Sequence, residues 1–142
     1  IVFGKRTAYR PIFQNDMVSF NELQVYSLAE EYFHNLSRLQ HMLVYDDGIL
    51  KGIINGKHSK GRIEICDFYV DPLFTGMGIG RSLIGHVIQK ARQEQVHTIF
   101  LWVIAENKKA RIFYERNGFA ATGKTTLIEG TDKLDMYYEQ VL

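Results

Sequence analysis

Cysteine is almost missing from this chain, and that absence is the first constraint on it. Cys66 stands alone among 142 residues. No disulfide framework and no cysteine-built metal site is therefore open to it, and a reducing cytoplasm fits. The five histidines, His34, His41, His58, His86 and His97, show no ligand spacing, so no metal is expected. An excess of charge is missing too. Lysine and arginine number 17 against 16 acidic residues, a formal charge of +1, which gives no reason to invoke nucleic acid or an anionic membrane as a bulk partner. No apolar run approaches a membrane span, and no signal-peptide pattern opens the chain. There is no internal repeat and no low-complexity segment. What remains is the composition of an ordinary soluble globule, with length for one domain over 1–142. The chain opens at Ile1 without a methionine, so a segment N-terminal to it is expected.

What is present is organised around Ile63 to Leu83, IEICDFYVDPLFTGMGIGRSL. Ile63, Ile65, Phe68 and Val70 lie in a run rich in β-branched and aromatic residues, which predicts a strand. Asp71-Pro72 stops it, because proline has no N–H for a ladder and biases its predecessor to extended geometry. Gly76, Gly78 and Gly80 follow at alternate positions, and helical spacing begins at once. The first N–H groups of a helix have no internal partners and carry the positive end of its dipole. Glycine there permits a tight turn and the close approach of an oxyanion, so the stretch reads as a phosphate cradle. Two familiar nucleotide motifs fail. There is no G-x-x-x-x-G-K-[ST], and Arg81 stands where the third glycine of G-x-G-x-x-G belongs. The glycines also lie several residues past the strand end, unlike the dinucleotide fingerprint. A different phosphate-bearing ligand is expected.

Asp71-Pro72 followed by T-G-M-G-I-G from Thr75 to Gly80 resembles the acyl-CoA pyrophosphate loop of the GNAT acetyltransferase superfamily, usually [QR]-x-x-G-x-[GA]. Gly78 and Gly80 match, and Thr75 departs where Gln or Arg is usual. A second block, N-K-K-A-R-I-F-Y-E-R-N-G-F from Asn107 to Phe119, resembles the other half of that cofactor site. With the strands between, the resemblance covers roughly Met42 to Leu142. It implies a mixed, mostly antiparallel twisted sheet of six to seven strands with helices on both faces, an α/β (α+β) fold.

The remaining segments can be placed around these blocks. Ile1-Val2-Phe3 reads as a weak edge strand. A helix is predicted from Ser27, with Glu30 completing a capping box and Leu28, Tyr32, Leu36 and Leu39 near helical spacing; an earlier helical turn around Met17 to Tyr26 precedes it. Met42 to Tyr45 is a strand, Asp47-Gly48 a hairpin turn, Ile49 to Asn55 the returning strand, and Gly56 to Gly61 a polar turn. Leu83, Ile84, Val87, Ile88 and Ala91 form one apolar stripe on the helix after the glycines. Thr98 to Ile104 is apolar throughout, as for a strand buried on both faces, and strand, helix and strand make a parallel unit. Asn107 caps a further helix, Asn117-Gly118 ends it, and Ala121 to Ile128 and Leu134 to Val141 are the last strands.

The resemblance also implies site residues. The Tyr of F-Y-E, here Tyr114, would face the cofactor sulfur and hydrogen-bond or protonate the leaving thiolate; taken alone it is a half-buried helix tyrosine. Glu64 matches a position where several members place a catalytic glutamate, and Asp67 is the second candidate base; either is also an ordinary strand residue. Gly76, Met77, Gly78, Ile79, Gly80 and Arg81 would hold the pyrophosphate with Thr75. Asn107 would contact pantetheine, or simply cap its helix. Lys108, Lys109 and Arg111 would approach the ribose phosphate or form a solvated face. The family's fourth and fifth strands part at their C-terminal ends, so the backbone of Phe68 and Val70 would pair with pantetheine like an added strand, and the Val70 amide would polarise the acetyl carbonyl. Cys66 reads as a small buried hydrophobe, which leaves direct transfer without an acyl-enzyme.

The expected function is transfer of acetyl from acetyl-CoA to a primary amine, on a small molecule or on a protein N-terminus or lysine. Tyr32, Phe33 and the segment 126–133 are candidates to line the acceptor cleft. The resemblance admits a homodimer. A coenzyme A-binding module without catalysis is the alternative, and a dinucleotide-dependent enzyme stands third.

Overall fold

The computed structural model of the chain describes residues 2–15 and 22–142. Two helices, α1 (Val2–Phe13) and α2 (Glu22–His34), precede a 3-10 turn at Leu36–Leu39 and three antiparallel strands, β1 (Leu43–Asp46), β2 (Leu50–Ser59) and β3 (Arg62–Val70). After α3 (Ile79–Gln93) come β4 (Thr98–Ile104), α4 (Lys108–Arg116), β5 (Ala120–Leu127) and β6 (Leu134–Val141). The six strands form one sheet in the order β1-β2-β3-β4-β6-β5, with only β3 and β4 parallel. The expected mixed, mostly antiparallel sheet is present.

The core lies between the sheet and α3. Ile79, Leu83, Ile84 and Ala91 pack on Ile54, Ile63, Ile65, Ile99, Leu101 and Tyr138, all of them buried. Phe113 and Tyr114 of α4 pack against the same cluster. On the opposite face, Lys5 of α1 and Tyr32 of α2 both reach Asp67.

Which face each residue of β3 takes is decided by a bulge. Its pairing with β2 steps from Gly56↔Ile65 to Asn55↔Asp67 and leaves Cys66 as an extra residue. An extra residue reverses the alternation of side chains. Ile63 and Ile65 before it, and Phe68 and Val70 after it, therefore share the α3 face, whereas Asp67 and Tyr69 turn to the α1 face. The break was visible as a spacing of three between Ile65 and Phe68 inside an otherwise alternating run.

Four sequence expectations need correction. Ile1-Val2-Phe3 is no edge strand: Val2 opens α1. Lys5, Tyr9 and Phe13 share one stripe of that helix, and the last two meet edge to face at 5.9 Å. The second helix starts at Glu22, so Ser27 and Glu30 lie inside it and form no cap; Met17 falls outside the described residues. Leu36 and Leu39 belong to the 3-10 turn, not to that helix. Finally, Gly56 to Ser59 continues β2, and the reversal takes only Lys60 and Gly61, both left-handed at φ 46° and 75°. That is the backbone of a tight two-residue hairpin, and polar strand residues beside it concealed the strand's length.

Candidate active site

The sheet is forked. β3 and β4 pair from Arg62↔Thr98 to Ile65↔Leu101 and no further, although β3 runs on to Val70 and β4 to Ile104. β3 stays bonded to β2 throughout: the Asp71 N–H donates to the Lys51 carbonyl at 2.8 Å, one residue beyond the Gly52↔Val70 pair. In an antiparallel ladder, residues that bond the neighbour alternate with residues that turn their N–H and C=O away. Asp71 bonds β2, so Val70 and, two residues back, Phe68 direct their backbone polar groups into the gap left by β4. The bulge at Cys66 sits at the root of this fork.

A second set of unpaired donors lies beside it. The Asp71 side chain accepts from the Leu73 N–H at 2.9 Å and caps the short turn Pro72–Phe74. Thr75 donates its hydroxyl to the Pro72 carbonyl at 3.0 Å, so this side chain braces its own turn. Gly78 caps α3 in left-handed geometry, φ 81°, with no side-chain cap, and the first helical bond runs from the Ser82 N–H to the Gly78 carbonyl at 2.9 Å. The amides of Ile79, Gly80 and Arg81 thus donate to no backbone group among the described residues. A Cβ on Gly76 or Gly78 would meet nothing within 4 Å, so the loop is open on the side a ligand would approach. Gly80 differs. A Cβ there would stand 3.2 Å from the Phe113 ring, so this glycine lets α3 close on α4. Met77 is exposed and Ile79 is buried in the core, while Arg81 is exposed on the first turn.

Tyr114 stands on the α3 face of the fork. Its ring packs on Phe68, Phe113 and Phe119, with centroids 6.2, 5.4 and 5.8 Å away. The hydroxyl makes no hydrogen bond among the described residues. Burial, and then the nearby Tyr9, push the phenol well above its usual range, so it is a neutral donor at any working pH. Asn107 accepts from the Ala110 N–H at 3.2 Å and caps α4. Arg111 is committed elsewhere, to the Ala105 carbonyl at 3.0 Å and the Tyr138 hydroxyl at 3.1 Å, which takes it away from the ribose-phosphate role; Lys108 and Lys109 are exposed.

The other face of the fork carries carboxylates. Asp67, 4% exposed, is held by the Tyr32 hydroxyl at 2.7 Å, by Lys5 Nζ at 3.1 Å and by Arg38 at 3.7 Å. Burial alone would raise its pKa, but the Tyr32 hydrogen bond and the Lys5 charge outweigh burial and the net shift is downward. Asp67 is therefore a weak base and a tie between α1, α2 and β3. A group with a lowered folded pKa stabilises the fold above its unfolded value, near 4, and loses that contribution as pH falls through the folded value. Asp67→Asn should cost about 3 kcal/mol at neutral pH, because it removes the charge from a buried carboxylate that Lys5, Arg38 and Tyr32 all hold. It should also flatten the loss of stability on acidification. Urea unfolding at pH 7 and at about pH 2.5 measures both; a variant as stable as wild type at pH 7 would reduce the tie to an incidental contact.

Glu64 lies on the same face, in register with Lys57 and Phe100, just below the fork. Of the acceptor-cleft candidates, Tyr32 reaches the site through Asp67, whereas Phe33 is 77% exposed and away from it. Two residues at this face were missed by the sequence reading. Tyr9 of α1 lies within electrostatic range of Tyr114, Tyr69, Asp67 and Asp135; burial first, then Asp135 and Asp67, push its pKa up to about 12. Asp135 of β6, opposite Ile104, is half-buried. The helical spacing of Lys5, Tyr9 and Phe13 was the available signal for the first. For Asp135 there was none, because its position depends on the pairing of β4 with β6.

The sheet thus forks beside an uncapped helix start, with a phenol at the fork. The sequence profile of the Acetyltransferase (GNAT) family matches residues 7–119. The chain belongs to that family. It is 46% identical over 56 residues, 39% of this chain and 25% of the other, to an uncharacterised N-acetyltransferase of Methanocaldococcus jannaschii. The chain spans about a quarter of the length of the curated relatives it matches. Among solved structures, a nourseothricin acetyltransferase superposes with a TM-score of 0.62 at 31% identity, covering 69% of this chain and 61% of that one. The PaiA N-acetyltransferase of Thermoplasma acidophilum, in complex with coenzyme A, superposes with a TM-score of 0.67 at 20% identity over 99% of this chain and 90% of that one; at this identity the likeness is one of fold. No helix among the described residues is long and apolar enough to cross a membrane.

Proposed function

We propose that the chain moves acetyl from acetyl-CoA to a primary amine by direct attack, without an acyl-enzyme. The observation that carries this reading is the fork, where the free backbone edge of Phe68 and Val70 lies between the unpaired amides of α3 and the unpartnered hydroxyl of Tyr114. Acetyl-CoA, the family's cosubstrate, supplies an acyl group already activated as a thioester. Phe68 and Val70 bond its pantetheine arm as an added strand, and the amides from Gly78 to Arg81 bind its pyrophosphate. Thr75, Gly76 and Met77 shape the approach to them. Asn107 keeps its amide group for the pantetheine arm while its oxygen caps α4. The Val70 N–H polarises the acetyl carbonyl. Tyr114 hydrogen-bonds the departing thiolate. The attacking amine comes from the α1 face and must lose a proton; Glu64, which lies below the fork, would take it through an intervening water.

The nourseothricin acetyltransferase match makes a small-molecule amine the first acceptor to try, with alanine-initiated and lysine-containing peptides as the second. Free thiol is measured as it is released from acetyl-CoA. We expect micromolar-range coenzyme A binding and turnover with at least one acceptor. Coenzyme A binding without turnover on any of them would leave a binding module in place of an enzyme.

A further inference from the structure

We propose that Asp135 is a further catalytic residue, the group that takes the proton of the attacking ammonium from the β6 side of the fork. The inference rests on the acetyl-transfer reading and moves the base from Glu64 to a residue of another strand.

Position along the strands is the first argument. The last parallel pair is Ile65↔Leu101, and Asp135 is opposite Ile104, three residues further up β4. Counting from Ile65 and leaving out the bulged Cys66, the same level on β3 is Tyr69, between the two residues whose amides face the gap. Glu64 is below the fork. It is separated from Phe68 by four residues less the bulged one, or about 10 Å at ~3.3 Å per residue.

Orientation is the second argument. Met136 and Tyr138 pack against the core on the α3 face, so their neighbours Asp135 and Tyr137 project to the α1 face. Asp135 thus shares a face with Asp67, Tyr69 and Tyr9, and opposes Tyr114 across the sheet. A base on one face and the leaving-group donor on the other is what attack through a gap in the sheet requires.

Chemical state is the third. Asp67 is tied up by three side chains, whereas Asp135 makes no hydrogen bond or ion pair among the described residues. Burial raises its pKa. A carboxylate so placed is a better proton acceptor than an ordinary surface aspartate. The Tyr9 phenol, close by on α1, borders the space the amine would occupy.

In the step itself, R–NH3+ gives one N–H proton to the Asp135 carboxylate. The freed lone pair forms the C–N bond and the C–S bond breaks. The surplus N–H proton of the new amide offsets the one taken up by the thiolate, and Asp135 returns its proton to solvent. One proton is released per turnover.

Wild type, Asp135→Asn, Asp135→Glu and Glu64→Gln are assayed with nourseothricin, spermidine and an alanine-initiated peptide as acceptors, beside calorimetric titration with coenzyme A. Asp135→Asn should lose about a hundredfold in kcat at saturating acetyl-CoA. Its coenzyme A affinity should be unchanged, Asp135→Glu should recover part of the loss, and Glu64→Gln should lose at least about tenfold less than Asp135→Asn. Asp135 has no partner to abandon, so its variants should melt like wild type; Asp135→Ser serves if the asparagine variant does not fold. Asp135→Asn or Asp135→Ser within threefold of wild type overturns the assignment, as does a hundredfold loss confined to Glu64→Gln. A wild-type chain that binds coenzyme A and acetylates none of the three overturns the acetyl-transfer reading, and this assignment with it.

Discussion

Tyr114→Phe should turn over its acceptor about ten- to a thousandfold more slowly than wild type, roughly 1.4 to 4 kcal/mol of added barrier, with little change in stability or in coenzyme A affinity. The separation follows from the surroundings of the ring. Phe68, Phe113 and Phe119 contact the aromatic body, which phenylalanine keeps. The hydroxyl has no partner among the described residues, so removing it orphans nothing in the folded protein. Its contribution is expected only when negative charge develops on sulfur. Burial keeps the phenol protonated, and its raised pKa stands above that of a thiol, ordinarily near 8.5. Complete proton transfer to the thiolate is therefore uphill. In the proposed reaction the hydroxyl would act as a hydrogen-bond donor, and the proton the thiolate finally keeps would come from solvent. Turnover at the wild-type rate, where chemistry limits, would make Tyr114 a packing residue. Lost coenzyme A affinity with turnover intact would make the hydroxyl a binding group.

Gly78→Val should weaken coenzyme A binding by at least about tenfold, roughly 1.4 kcal/mol or more, while the fold survives. Two effects combine. Gly78 is left-handed at φ 81°, a conformation a β-branched residue adopts only under strain of about 1–3 kcal/mol. The new side chain also projects into the open side of the loop, where nothing of the protein lies within 4 Å. In the proposed site, that space is where a pyrophosphate would come to reach the amides from Ile79 to Arg81. The same openness is why the chain should still fold: the added Cβ has no heavy atom within 4 Å. Calorimetric titration beside a thermal melt reads both sides of the prediction. Unchanged affinity in a folded variant would remove the pyrophosphate from this loop.

The glycines at 76, 78 and 80 form one motif in the sequence but are not glycine for one reason. Sequence reasoning assigned all three to the phosphate. Gly76 and Gly78 do leave a ligand's approach open, whereas Gly80 faces Phe113 and sets how closely α3 meets α4. The difference lies in which way each Cα turns, and only the packed helices fix that.

Much of the α3 side of the site was legible in the chain. The strand at 98–104 and the cap at Asn107 are local signals, and they lie where expected because periodicity and capping depend on neighbours in sequence. The apolar stripe of α3 and the break at Asp71-Pro72 are signals of the same kind. Tyr114 and the glycine turn could be singled out because their residues stand close together in the chain. The α1 face was not legible. Val2 to Phe13 lacks a clean apolar period, and its helix is held by tertiary contacts such as Lys5 to Asp67. The bulge at Cys66 reverses the faces of β3, and the fork depends on where β4 stops pairing; both are properties of a strand's partners. The sequence by itself determined most of the elements from Met42 onward, the core stripe of α3 and the family. Tertiary structure decided which backbone edge is free and which carboxylate stands level with it, because register between strands distant in sequence is set by packing and not by any local preference.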